Sequence, residues 1–118
     1  MITKSSLQAM LNFRDARNWK QFHSARNLST ALVVESAELL EHFRWSRNPQ
    51  DEAVIVRDKG LQLAHELADI AILLGYLASE LSVNLDDAIS EKLRLNDEKY
   101  PVEKFYGNAR KYDDFGEQ

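Results

Sequence analysis

No cysteine occurs among the 118 residues, so disulfide staples, Cys-ligated zinc, iron–sulfur clusters and thiol catalysis are all excluded. Proline and glycine are scarce. The two prolines and four glycines make up about 5% of the chain, against a usual share of roughly 12%. So few breakers rule out a turn-rich β sandwich and favour a few long helices. Basic excess is missing too: the net charge is −4, which argues against DNA or RNA held by electrostatics. Met1 to Phe13 lacks the basic stretch and apolar segment of a signal peptide. The longest uncharged stretch, Ile70 to Ser79, falls short of the roughly 18 apolar residues that a membrane span needs. The expectation is a soluble, cytoplasmic protein with no membrane partner.

What is present suits a globular domain. Apolar residues are 44% and charged residues 29% of the chain, enough for one core without staples. A single domain over residues 1–118 is expected, with a helical core over about 3–100 and a polar, aromatic tail over 101–118. Apolar periodicity predicts four helices. The first runs from about Thr3 to Arg17, carrying Leu7, Met10, Leu11 and Phe13. An aromatic-rich loop, Asn18 to Ser24, breaks the pattern. Asn27 is a candidate cap for a second helix, Leu28 to Trp45. The third starts at Asn48-Pro49 and continues to about Leu81, with a bend near Gly60. Asn84, with Asp87 three residues on, starts the fourth, which must stop before Pro101. Nothing reads as a strand, so the fold class is all-α.

The acids carry the chemistry. On a wheel of about 100° per residue starting at Leu28, the second helix places Leu28, Leu39, Leu32 and Phe43 on one apolar arc and Val34 and Trp45 on another. Between them, at about 280–340°, lie Glu38, Ala31, His42 and Glu35. The third helix repeats the feature: LADIAILLGYLAS, Leu67 to Ser79, holds Asp69 as its one charge, and Glu66 shares a face with it. A helix apolar on nearly all sides is expected to be buried on nearly all sides. One such acid pair usually means a solvated helix face. Two pairs inside apolar arcs need partners, since a desolvated carboxylate costs several kcal/mol, and neither stripe offers a Lys or Arg. A divalent cation answers the need, and all-oxygen ligands point to Mg²⁺ or Mn²⁺ rather than zinc or copper. Di-iron bundles require Glu-x-x-His twice; Lys20, Leu39 and Gln62 precede His23, His42 and His65 by three, so the motif is absent and di-iron chemistry is not expected.

Glu35-x-x-Glu38, 27 residues, then Glu66-x-x-Asp69 resembles the MazG-like, all-α nucleoside triphosphate pyrophosphohydrolases. Asn18-Trp19-Lys20-Gln21-Phe22-His23, Arg26-Asn27-Leu28, Phe43-Arg44-Trp45, the spaced Lys92, Asn96 and Tyr100-Pro101, and Arg110-Lys111-Tyr112 are similar to its dCTP pyrophosphatase branch. Four helices, two of them nearly apolar all round, leave more apolar surface than one 118-residue bundle can cover, so a homo-oligomer is expected, consistent with the dimers or tetramers of the family it resembles. The resemblance implies Mg²⁺-dependent hydrolysis of deoxynucleoside triphosphates, dCTP or modified pyrimidines first, to monophosphate and pyrophosphate. Glu35, Glu38, Glu66 and Asp69 would bind the metal, and one of Glu35 or Glu38 would serve or orient the base. Trp19, His23 and Trp45 would meet the nucleobase. Lys92, Asn96 and Tyr100, one face of a helix at i, i+4 and i+8, would meet phosphate and sugar, with Arg110, Lys111 and Tyr112 closing over the phosphates. Met10 and Leu73 replace the polar residues that approach the base in that branch, which weakens cytosine selectivity. The alternative is a non-catalytic helical scaffold or regulator whose acids are vestigial.

Overall fold

The computed structural model describes residues 1–109, and every regular element among them is helical. The order is α1 Lys4–Ala16, a 3₁₀ turn Lys20–Phe22, α2 Ala25–Glu41, α3 Pro49–Asp58, α4 Gly60–Glu80, α5 Leu85–Lys99 and the single turn α6 Val102–Phe105. The chain forms two compact units: Met1–Val83, and a second that begins at Asn84.

Side-chain caps set the helix starts. Thr3, Asn48 and Asn84 accept the amides of Ser6, Asp51 and Asp87 at 3.1, 2.8 and 3.0 Å; of these, Asn84 was the expected cap. For α2 the expected cap is corrected. Ser24, not Asn27, accepts the amide of Asn27 at 3.0 Å, and the helix begins three residues earlier than expected. Asn27 turns its own amide to the Phe22 carbonyl at 3.0 Å, tying the aromatic loop to the helix start. Helix α2 also stops earlier, at Glu41, and His42 to Trp45 form turns.

The expected long third helix is two helices. The break falls at Lys59, whose amide closes α3 onto Ile55 at 2.8 Å while Gly60 opens α4. Among the described residues, five helices and two short turns therefore replace the expected four helices. Helices α1 and α4 both end in Schellman motifs with non-glycine residues in the left-handed position: Asn18 and Ser82, each at φ 55°. The amides of Trp19 and Val83 return to the carbonyls of Arg14 and Ala78, at 3.0 and 2.9 Å. The first of these turns carries Trp19 back against α1.

Helix α4 packs chiefly on α2, with smaller contacts to α1 and α3. Gly75 lets α1 come close: a Cβ there would sit 2.6 Å from Met10 Cε. The Tyr76 hydroxyl donates to the Met10 carbonyl at 2.7 Å. Leu28, Leu63, Tyr76 and Ala78 are the buried apolar core. The expectation that α4 is buried all round fails within one chain, where Leu61 and Leu67 stay 69% and 56% exposed. By length and composition α4, at mean hydropathy 1.3, is apolar enough to cross a membrane, which counting uncharged residues missed. Its Glu66 and Asp69 and its packing on α2 are features of a core helix.

Candidate metal and nucleotide site

The site is built where α2 and α4 pack. Glu35 and Glu38 lie one turn apart on α2, Glu66 and Asp69 one turn apart on α4. Carboxylate oxygens of Glu35, Glu38 and Glu66 lie within 4.8 Å of one another. Asp69 stands beside Glu35 on the wall of one cleft. Three of the four acids singled out from the sequence thus cluster, and Asp69 lines the same cleft as Glu35; Glu35 and Glu66 are half-buried, Glu38 and Asp69 exposed.

Convergence has an electrostatic cost. Burial pushes the Glu35 carboxyl above its ordinary range; a hydrogen bond shared with Glu38 and the charges of Glu38, Asp69 and Glu66 push the same way. Oε2 of Glu35 and Oε2 of Glu66 are buried without a hydrogen-bond partner. The arginine ion pairs are made elsewhere, with Arg14, Arg44, Arg47, Arg57 and Arg94 joined to Asp15, Glu41, Asp51, Asp58 and Glu91. Orphaned carboxylate oxygens in a cluster of hard donors fit a hard divalent cation.

The cleft that Glu35 and Asp69 border has a volume of about 510 Å³, within the range of small-molecule sites. Its remaining walls are apolar and aromatic: Met10, Phe13, Trp19, Ala31, Ile72, Leu73 and Tyr76, with Ala9 and His23. Trp19 meets Phe13 edge-on at 5.7 Å, and the Arg17 guanidinium lies 3.7 Å from the Phe13 ring centre. His23 stacks at 4.8 Å on Tyr76, and its Nδ1 is buried and unpartnered. Burial, then the nearby Arg14 charge, lowers the His23 pKa below its ordinary value, so the ring is neutral at pH 7 and can exchange hydrogen bonds with a neutral base. Met10 and Leu73 line this cleft, at the positions that the family resemblance placed near the base.

Trp45, among the other predicted site residues, is not part of the lining of this cleft. Trp45 lines a separate cleft of about 530 Å³ with His42, Arg47 and Lys59; it is 76% exposed, with the Arg44 guanidinium 4.6 Å from its ring. Lys92, Asn96 and Tyr100 belong to the second unit, where Tyr100 packs edge-on to Phe105 at 4.8 Å. Arg110, Lys111 and Tyr112 fall outside the described residues. Sequence reasoning gave no role to Phe13, Tyr76 or His42. Apolar spacing marked Phe13 as core, and nothing in α4 sets Tyr76 apart. His42 was visible on the acid stripe, and its Nε2 lies 3.3 Å from Glu66 Oε1.

The sequence profile of the MazG-like family matches residues 30–115. The chain is 39% identical over 104 residues to dCTP pyrophosphatase 1 of Mus musculus, and 41% identical to that of Bos taurus. In both cases the match covers 86% of this chain and 61% of the relative. The chain thus spans about three-fifths of the length of these curated relatives. A crystal structure of a pyrophosphatase from Archaeoglobus fulgidus superposes with a TM-score of 0.79 at 34% identity, over 80% of this chain and 88% of that one.

Proposed function

Because this chain belongs to the MazG-like family, we propose that it hydrolyses deoxynucleoside triphosphates, dCTP or modified pyrimidine analogues among them, to the monophosphate and pyrophosphate. The observation that carries the reading is one cleft with two kinds of wall. Aromatic rings and a neutral histidine make up the first kind, and Glu35 and Asp69 the second. A base can stack at the first while the phosphates reach the second.

Glu35, Glu38, Glu66 and Asp69 would hold Mg²⁺, or Mn²⁺ as a substitute. The bound ion supplies neutralisation of phosphate oxygens and a water of lowered pKa. Glu35 or Glu38 accepts the proton of the water that attacks the α-phosphorus. The bond from that phosphorus to the α–β bridging oxygen breaks, and pyrophosphate leaves. Trp19 and His23 orient the base. Lys92 and Asn96 on one face of α5, with Tyr100 at its end, have the chemistry to donate to phosphate and sugar oxygens; Trp45 keeps a base-stacking role only by family likeness. The apolar surface left open on α4 supports assembly of a homo-oligomer.

The test is product analysis with all common and 5-modified dNTPs, with Mg²⁺ and with EDTA. The expected products are dNMP and pyrophosphate, with Mg²⁺ only. Release of dNDP and orthophosphate would overturn the reading. Met10 and Leu73 leave the cleft without a specific hydrogen bond to the base at those positions, and apolar discrimination amounts to about 10–200-fold. A pyrimidine preference within that range is expected, and a preference for dCTP above about 10⁴-fold would contradict it.

A further inference from the structure

The geometry points to His42 as a positioning residue that holds the Glu66 carboxylate ready for its cation. The inference rests on the metal centre proposed above and goes beyond it, because His42 is not one of the four acids.

His42 is the C-terminal cap of α2, one turn beyond Glu38 and two beyond Glu35. The ring is carried across the packing seam, where Nε2 lies 3.3 Å from Glu66 Oε1 on α4. Both side chains are largely enclosed, 18% and 19% exposed. An ionised carboxylate only accepts hydrogen bonds, so the proton between them sits on Nε2. The length is at the long end of the N–H···O range.

The two oxygens of Glu66 therefore have different surroundings. Oε1 is engaged by His42, while Oε2 is buried and without a partner. A glutamate loses appreciable rotamer freedom when fixed. By engaging Oε1 in advance, His42 removes part of that cost and leaves Oε2 as the oxygen offered to the ion. His42 also borders the separate cleft lined by Trp45 and Lys59. Outer partners of metal-binding carboxylates typically change metal affinity 10–100-fold when removed.

The experiment is a Mg²⁺ and Mn²⁺ titration followed by thermal melts, on the full chain and on the variants H42Q, H42F, H42N and E66Q, each also melted in EDTA. Gln places an amide N–H near the position of Nε2; Phe keeps the ring volume without a donor; Asn has a donor too short to reach. The expected result is wild-type affinity within about threefold for H42Q, and affinity weakened by about 10–100-fold for H42F and H42N. Metal-free melts of H42Q and wild type should coincide. Wild-type affinity in H42F or H42N, or an equal loss in H42Q, would overturn the role of His42. Should H42F fail to fold, H42N against H42Q carries the same comparison. Failure of the metal centre itself would look different: wild type without any metal-dependent shift, or E66Q binding metal as wild type does.

Discussion

A carboxyl group with a buried, unpartnered oxygen is comfortable either protonated or facing a cation, and Glu35 is such a group. Its folded-state pKa lies above the ordinary value of 4.5, so the native state binds this proton more tightly than the unfolded chain. The stabilisation is complete below that value and is lost as pH rises through the folded-state pKa. In EDTA, the melting temperature of Glu35→Gln minus that of wild type should therefore grow as pH rises from about 4.5; a difference independent of pH would refute the assignment. Added Mg²⁺ should reverse the order, because at 100 times its Kd it stabilises the native wild type by about 2.7 kcal/mol. The neighbours yield a related prediction. Asp69→Asn and Glu38→Gln should abolish turnover yet leave the metal-free protein as stable as before, or more so, since each removes repulsion. If the acids instead neutralised buried cations, each substitution would destabilise the metal-free protein by about 3–5 kcal/mol, read in the same melts. At this scale the acids were legible, because charge inside an apolar arc is a pattern of one helix. His42 was visible but not interpretable, because its partner lies on another helix 24 residues away.

Among the helices, α1 and α4 are joined where a small residue meets a flexible one. Alanine at Gly75 would gain about 1 kcal/mol of helix propensity, but its Cβ would press on Met10 Cε. Methionine yields easily, and the direction open to it is the cleft it lines. Gly75→Ala should leave folding within about 1 kcal/mol of wild type while raising KM for the nucleotide. In a Met10→Ala background the same substitution should stabilise by about 0.5–1 kcal/mol and leave KM unchanged. Denaturant melts with steady-state kinetics on the four proteins of the cycle decide it, and additive effects on KM would refute the coupling. Helix ends were legible where one residue could cap. At α2 both Ser24 and Asn27 could, and the choice turned on Asn27 having a second use, the Phe22 carbonyl. The break at Lys59 had only Gly60 to signal it, because apolar periodicity runs through both α3 and α4.

For the molecule as a whole, composition foretold helices and periodicity foretold an apolar α4, but neither says which side of a helix its own chain leaves open. Leu40 on α2 and Trp45 after it are also exposed, at 66% and 76%. If copies of the chain cover this surface, the melting temperature should rise with protein concentration, and sedimentation should show a dimer or larger species at micromolar concentration. A concentration-independent melt with a monomeric sedimentation coefficient would contradict the assembly. The order of the helices has a consequence for synthesis. The principal partners of α4, namely α2, α1 and α3, all precede it in the chain. The most water-averse segment of the protein therefore leaves the ribosome after the helices that cover part of it. The first unit can close while α5 is still being made. Nascent chains stalled with residue 83 just outside the tunnel should already resist protease, whereas chains stalled at residue 60 should be digested.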